Sequence, residues 1–143
     1  MILVDTSVWI ELRRRRPARE VRAEELVQWV TCGPVVQEVL QGLREHALTA
    51  VFHEALLALP RLSDPLGLET FLHAAEIYRE GRRKGYTIRS SADCLIAAIA
   101  IENGVAVWHR NRDFEAIARY TRLEAAEGRR RPPGRRAPPA GGR

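Results

Sequence analysis

Four carboxylates and one amide lie where apolar segments of this 143-residue chain begin or end. Asp5 follows the opening apolar run, Glu38 lies in a short valine-rich segment, and Asp93 leads a long apolar one. Asn111 and Asp113 follow a further apolar run. An oxygen-only ligand set, without histidine or cysteine, favours Mg²⁺ or Mn²⁺ over zinc. Such ions orient an attacking water and neutralise phosphate charge, so the pattern is typical of phosphoryl chemistry.

Each acid also has an ordinary structural explanation. Asp5 is in position to cap a helix that starts at the next residue, and Asp113 to cap the last helix. Ser90 and Asp93 have the spacing of a capping box. Glu38 falls away from the apolar stripe of its helix and is compatible with exposure to solvent. Taken one at a time, a structural role is the more common explanation for each acid.

The acids are harder to explain as caps when they are considered together. At roughly 5 Å and an effective dielectric constant near ~20, each pair of carboxylates repels by about 3 kcal/mol. No lysine or arginine stands next to Asp5, Glu38 or Asp93 in the sequence to offset that repulsion. Gly42, one turn after Glu38, leaves open space beside that carboxylate, which suits a ligand. We therefore expect a divalent cation where the acids meet.

The hydrophobic pattern predicts the elements that must bring these residues together. Strands are predicted at Met1–Asp5, Trp29–Cys32 and Val105–His109, and helices at Val8–Arg13, Arg19–Gln28, Pro34–Leu43, Glu45–Leu59, Leu66–Lys84 and Phe114–Tyr120. A further helix is predicted to start at Ser90 or Ser91 and to end at Asn103 and Gly104. Strands that alternate with helices form a parallel sheet with helices on both faces. The carboxyl ends of the strands then gather the acids along one edge.

One predicted helix is apolar on every side, and two others are expected to pair. The segment Cys94–Ile101 has no polar stripe, which predicts a buried helix that Asn103 and Gly104 end through a left-handed cap. The helices at Glu45–Leu59 and Leu66–Lys84 are expected to pack on each other.

The length of the chain is that of one domain with its own core. Cys32 and Cys94 lie in apolar segments without metal-ligand spacing, which indicates buried, reduced thiols. The N-terminus lacks a signal-peptide pattern, and no segment is long enough to span a membrane, so we expect a cytoplasmic protein without membrane contact.

The net charge of +5 belongs to the C-terminus rather than to the body of the chain. Residues 128–143 hold six arginines and no acids, and the rest of the chain holds 17 basic and 18 acidic side chains. This Pro/Gly/Arg-rich composition cannot bury a core, so we predict a folded domain at 1–127 and a disordered tail at 128–143. The tail is either a solubilising extension or a non-specific grip on RNA.

Four segments resemble the signature segments of PIN-domain ribonucleases. They are Met-Ile-Leu-Val-Asp5-Thr-Ser-Val-Trp-Ile-Glu, Val-Val-Gln-Glu38-Val-Leu-Gln-Gly, Ser-Ala-Asp93-Cys-Leu-Ile-Ala and His-Arg-Asn-Arg-Asp113-Phe-Glu. The likeness is closest to the VapC-type toxins of bacterial toxin–antitoxin pairs, and it spans about Met1 to Arg122. Any one segment is weakly specific, but four in order at family-like spacing are strong.

The resemblance implies a fold, an activity and partners. The fold is a three-layer α/β/α sandwich around a central, mostly parallel sheet. The protein would be the toxin of a type II toxin–antitoxin system, a Mg²⁺- or Mn²⁺-dependent endoribonuclease that cleaves single-stranded RNA with a metal-activated water. Asp5, Glu38 and Asp93 match the family's metal-binding acids, and Asp113 and Asn111 would complete the site. The implied partners are a second copy of the chain, a small VapB-type antitoxin and the RNA substrate.

The last segment departs from the family pattern. Members usually carry acids at both positions that match Asn111 and Asp113, and here the first is an amide. An amide still has a neutral oxygen, but the site loses a negative charge, so a second ion is expected to bind more weakly. The alternative function is therefore a catalytically weakened PIN-fold module that binds RNA or regulates. A receiver-type or dehalogenase-like phosphate site fits poorly, because Asp5-Thr-Ser lacks the second acid that both need.

Apolar residues on two predicted helices indicate a protein interface. Phe52, Leu56, Phe71 and Tyr78 exceed what one small domain is expected to cover. We expect a C2 dimer, and an antitoxin segment that lies along the groove and directs a basic side chain at the acids. The alternative is that these residues only pack the two helices on each other.

Overall fold

The computed structural model describes residues 1–14, 21–43 and 49–127. Within these ranges the strands are β1 (Ile2–Val4), β2 (Trp29–Cys32), β3 (Arg61–Leu62), β4 (Ala106–His109) and β5 (Ala125–Glu127). The helices are α1 (Thr6–Leu12), α2 (Ala23–Leu26), α3 (Gly33–Gln41), α4 (Thr49–Ala58), α5 (Leu68–Arg83), α6 (Ser91–Asn103) and α7 (Arg112–Tyr120). The tail predicted at residues 128–143 lies outside the described residues.

All five strands are parallel, in the order β3-β2-β1-β4-β5. The chain builds the sheet to one side of β1 through β2 and β3, and then returns to add β4 and β5 on the other side. A crevice opens outside the carboxyl ends of two strands where the winding reverses in this way. Asp5 follows β1 and Asn111 follows β4, so both residues lie at this point. The predicted α/β/α sandwich is confirmed.

The centre of the core is formed by β1 and α6. Leu3 and Val4 are fully buried, as are Ile96 and Ile99 on α6. The helix is buried on nearly every side, and it ends at Gly104, whose φ of 61° is the expected left-handed cap. The buried apolar helix is thus confirmed at its predicted place. Its first turn carries a carboxylate into the protein.

The expected pairing of α4 with α5 is wrong. The long helix α5 packs along α6 and also contacts α7. In contrast, α4 lies against α1 and α3, with the ring of Phe52 edge-on to Trp9 at a centroid distance of 6.4 Å. The reason is β3, which pairs with β2 and takes the chain across the sheet edge between the two helices. Leu56 is consequently buried in the core rather than exposed.

Two short strands escape the sequence prediction. β3 has two residues and β5 has three, which is too short for an alternating pattern to show. The helix predicted at Arg19–Gln28 is limited to α2 in the described part, and residues 19 and 20 lie outside it. No helix in the described ranges is both long and apolar enough to cross a lipid bilayer.

Candidate metal-binding pocket

A pocket of about 460 Å³ opens beside the carboxyl ends of β1 and β4. Its lining comes from segments that are distant in the sequence: Asp5, Thr6, Ser7, Ile10, Glu38, Gln41, Ser90, Asp93 and Asn111. Four of the five residues predicted from the sequence therefore share one pocket. The fifth, Asp113, does not line it.

The two oxygens of Asp5 have different surroundings. Its Oδ2 accepts hydrogen bonds from the Ser7 backbone N–H at 3.0 Å and the Ser7 hydroxyl at 2.5 Å, which is how Asp5 caps α1. The Ser7 hydroxyl in turn accepts from the backbone N–H of Arg110 at 2.9 Å. The other oxygen, Oδ1, is buried and has no hydrogen-bond partner among the described residues. A buried carboxylate oxygen without a partner is costly, so capping alone does not explain Asp5.

Glu38 is directed into the pocket by a contact between helices. It lies one turn after Pro34, which occupies the first turn of α3 as the sequence predicts. Its Oε2 accepts a hydrogen bond from Thr6 Oγ1 at 2.9 Å. This bond joins α1 to α3, and it holds the carboxylate beside the pocket rather than leaving it free in solvent.

Asp93 is buried in the first turn of α6, with only 4% of its surface exposed. Ser90 caps this helix by accepting a hydrogen bond from the Asp93 backbone N–H at 3.4 Å. The carboxylate accepts a bond from Asn111 Nδ2 at 2.7 Å on its Oδ2. Burial, and after it the charge of Asp5, raise the pKa of Asp93 to about 7, while the Asn111 bond acts in the opposite direction. The raised pKa reflects carboxylates crowded together in a partly buried site.

Asn111, rather than Asp113, caps α7. Its Oδ1 accepts a hydrogen bond from the Asp113 backbone N–H at 3.0 Å, so the expectation that Asp113 is the cap is wrong. The Asp113 carboxylate instead turns to the loop before α6, where its Oδ2 accepts from the backbone N–H groups of Arg89 at 2.9 Å and Ser90 at 3.2 Å. Since Ser90 is the cap of α6, Asp113 holds the start of the helix that carries Asp93.

Protein cations do not balance the charges of this pocket. No arginine or lysine in the described ranges forms an ion pair with any of the four predicted acids. The uncompensated charges also affect a neighbouring thiol. Burial chiefly, and then the charges of Asp5 and Glu38, raise the pKa of Cys32 to about 12. Over the described residues, no three His, Cys, Asp or Glu side chains are close enough together to hold a metal ion by themselves. Instead, Thr6 and Asn111 each hold one carboxylate in place.

Two hydroxyl residues of the pocket are missed by sequence reasoning. Thr6 and Ser7 follow Asp5 directly, and neither is among the site residues predicted from the sequence. In the structure Thr6 orients Glu38, and Ser7 links Asp5 to the loop after β4. The available signal is a pair of hydroxyls directly after an acid that ends a strand.

The chain is similar to several known proteins. A family model described as PIN domain matches residues 2–120. Ribonuclease VapC11 of Mycobacterium tuberculosis is 42% identical over 135 residues, which cover 90% of this chain and 100% of that protein. The solved structure of VapBC2 from Rickettsia felis, bound to a DNA fragment from its promoter, aligns with a TM-score of 0.65 at 17% identity over 89% of this chain and 98% of that one. VapC20 of M. tuberculosis, a sarcin–ricin loop cleaving toxin, aligns with a TM-score of 0.58 at 19% identity over 87% and 99%.

Proposed function

The chain belongs to the PIN domain family, and we propose from this that it is an endoribonuclease, the toxin of a type II toxin–antitoxin pair. VapC11 of M. tuberculosis, whose whole length is covered by the match, is named a ribonuclease. The observation that carries the proposal is the acidic pocket. Asp5 and Asp93 are 2% and 4% exposed, share it with Glu38, and have no arginine or lysine partner in the described ranges. Such a mutually repelling cluster is typical of a functional site rather than of a structural one.

We propose Mg²⁺ or Mn²⁺ as the cofactor, held by Asp5, Glu38 and Asp93. The buried, unpartnered Oδ1 of Asp5 supports this, because an isolated carboxylate oxygen gains most from a neighbouring cation. The donors are all oxygens, as hard cations prefer. When bound, the ion would activate a water molecule and neutralise charge on the scissile phosphate.

The protein's own residues prepare the pocket for one phosphodiester of a single strand. Thr6 fixes Glu38, and Ser7 fixes Asp5, so neither carboxylate has to be ordered when RNA arrives. Asp93 is buried and lines a pocket of about 460 Å³. A flexible strand can bend one phosphate into such a pocket, whereas a stacked duplex presents its backbone on a rigid surface.

Asp93→Asn is the substitution that tests the nuclease. The variant keeps the size of the side chain and loses the charge, so it should abolish cleavage of a single-stranded RNA in Mg²⁺ or Mn²⁺. Asp64→Asn is the matched control, because Asp64 is an exposed acid paired with Arg61 outside the pocket. Cleavage by Asp93→Asn at the wild-type rate would show that the assignment is wrong. Circular dichroism of both variants reports the fold.

A catalytically weakened module that binds RNA or regulates is the second candidate function. It is favoured by Asn111, whose amide occupies one oxygen of Asp93. On this alternative, the wild type would bind RNA without cutting it at any concentration of Mg²⁺ or Mn²⁺. Cleavage that depends on both the metal and Asp93 would exclude it.

We propose that a VapB-type antitoxin binds an apolar groove of about 670 Å³ between α1, α2 and α4. The groove is lined by Trp9, Leu12, Val21, Leu26, Trp29, Val51, Phe52, Ala55, Ala58 and Leu59. It therefore lies between α4 and α1 rather than between α4 and α5. Helix α1 supplies Trp9 and Leu12 to the groove and Thr6 and Ile10 to the acidic pocket. A segment that crosses α1 would reach both, and a basic side chain on it would neutralise the acids.

We also propose a homodimer through α5. Its outer face exposes Leu68, Phe71, Leu72 and Tyr78 by 70%, 46%, 54% and 37%. Beside this face runs a groove of about 980 Å³ that includes Phe71, Tyr78 and Leu95. An apolar surface that continues along a helix into a groove is typical of a protein interface.

A further inference from the structure

The side chain of Asn111 is fixed at both ends. Its Oδ1 accepts a hydrogen bond from the Asp113 backbone N–H at 3.0 Å, and its Nδ2 donates to Asp93 Oδ2 at 2.7 Å. A reversed amide would place oxygen against the Asp93 carboxylate and NH₂ against the Asp113 N–H. Both contacts would then be repulsive, so the two hydrogen bonds select the same orientation.

This orientation removes the Asn111 oxygen from the pocket. The oxygen points at the start of α7, where the first backbone N–H groups need acceptors from outside the helix. The group that faces Asp93 is an NH₂, which has hydrogens to donate and no lone pair for a cation. Compared with an acid at this position, the pocket therefore loses a ligand as well as a charge.

Among the described residues, no neighbouring acid replaces the missing ligand. Asp113 does not line the pocket, and its Oδ2 is already held by the backbone N–H groups of Arg89 and Ser90. The amide of Asn111 instead places its own positive partial charge against Asp93 Oδ2. A second cation would have to displace that donor, whereas the unpartnered Oδ1 of Asp5 is open to a first one.

We infer that Asn111 is a positioning residue that aligns Asp93 and limits the pocket to one divalent ion per chain. The inference rests on the proposed metal-dependent function and deepens it. In this site the fixed amide of Asn111 occupies the position at which an acid would help to hold a second ion.

Two substitutions separate the two bonds of Asn111. Asn111→Asp keeps an oxygen for the cap of α7 and turns a second carboxylate oxygen toward Asp93. Asn111→Ser keeps the cap, because serine is a good cap residue, but its side chain is too short to reach Asp93. The serine variant is therefore the matched control for the capping role, and the aspartate variant restores the ligand.

Bound Mn²⁺ per chain is counted by electron paramagnetic resonance of the free ion during a titration, with circular dichroism to show that each variant is folded. We expect one ion in the wild type, one ion with several-fold weaker affinity in Asn111→Ser, and two ions in Asn111→Asp. Two ions in the wild type, one in Asn111→Asp, or unchanged affinity in Asn111→Ser would each overturn the inference. RNA cleavage, measured alongside, separates the two proposals. The expected ion counts without any cleavage would refute the nuclease and leave the role of Asn111 standing.

Discussion

The two oxygens of the Asp5 carboxylate show how one residue serves both the fold and a site. Oδ2 caps α1 through Ser7, whereas Oδ1 is buried without a partner among the described residues. Asp93 is similar, because its backbone N–H belongs to the cap of α6 and its carboxylate belongs to the pocket. Capping and metal binding are therefore not alternatives for these acids. The electrostatic behaviour of the cluster is what distinguishes acids that also bind a metal from acids that only cap a helix.

The raised pKa of Asp93 predicts how the stability of the metal-free protein depends on pH. The pKa is about 7 in the folded protein against 3.8 for the ordinary group. Between these values the folded state binds a proton that the unfolded state has released, so the stabilisation is complete at low pH and is lost as pH rises through about 7. Urea unfolding in chelator, from about pH 5 to about pH 8, should show the free energy of unfolding falling more steeply for the wild type than for Asp93→Asn. Parallel curves would contradict the crowding of Asp93.

The response to Mn²⁺ provides a second residue-scale prediction. An ion that binds only the folded wild type stabilises it by about 2.7 kcal/mol at one hundred times its dissociation constant. Asp93→Asn should respond much less, and without metal it should melt at or above the wild type because the repulsion with Asp5 is removed. If these acids were only caps, Asp93→Ala would cost about 0.5–2 kcal/mol with or without metal. Thermal melts in chelator and in millimolar Mn²⁺ distinguish the cases. Equal responses in wild type and Asp93→Asn would leave only the capping role.

At the scale of elements, the strands and helices that carry strong apolar patterns were predictable from sequence. β1, β2, β4 and α6 lie within a residue or two of their predicted bounds, because each is a continuous buried run. β3 and β5 were not predictable, since they form through backbone pairing with β2 and β4 rather than through side-chain periodicity. The wrong pairing of α4 with α5 follows directly from the missed β3.

The candidate site likewise has features that could be predicted from the sequence and features that could not. The gathering of Asp5 and Asn111 follows from the order of the strands, because residues after parallel strands meet at one edge. The bond from Thr6 to Glu38 does not follow from the sequence, since it depends on how α1 and α3 pack. The same is true of the Asp113 carboxylate, whose partners lie more than 20 residues away in the chain.

The contact between Gly81 on α5 and Tyr120 on α7 gives a prediction about how these two helices pack. A Cβ at Gly81 would lie 2.5 Å from the Tyr120 hydroxyl oxygen. That ring cannot move easily, because its hydroxyl donates to the Ile77 carbonyl at 2.9 Å and it stacks on Tyr86 at 5.3 Å. Gly81→Ala gains up to about 1 kcal/mol of helix propensity but overpacks this contact, which typically costs about 1–3 kcal/mol. We expect a net loss of about 1 kcal/mol in urea unfolding. Gly67→Ala is the control, since nothing lies within 4 Å of its added Cβ.

At the scale of the whole molecule, the acidic pocket lies between two separate apolar surfaces. The groove at α4 meets the pocket through α1, and the groove at α5 meets it through Glu38 and Gln41, which line both. Partners on the two surfaces would therefore not compete for the same side chains. If both proposals hold, an antitoxin on the α4 groove would leave a dimer through α5 intact.

A single substitution on one surface should disrupt the dimer, and one on the other surface should disrupt antitoxin binding. Phe71→Glu places a charge on the exposed face of α5, so it should convert a dimer into a folded monomer while binding of the cognate antitoxin persists. Val51→Glu places the same charge in the α4 groove at a residue that is 61% exposed, and it should weaken antitoxin binding and leave the dimer intact. Light scattering at micromolar concentration measures the first effect, and titration calorimetry with the antitoxin measures the second.

The expected size of the interface determines how much dimer affinity the Phe71→Glu substitution should remove. A stable dimer buries about 800 Å² on each subunit, and a charge at the centre of such an area leaves a buried, unpaired carboxylate on both copies of a C2 interface. The loss of affinity is therefore doubled, and Phe71→Glu should be monomeric throughout the micromolar range. A wild type that is already monomeric there would count heavily against the dimer. A Phe71→Glu protein that remains dimeric would place the interface on another face than α5.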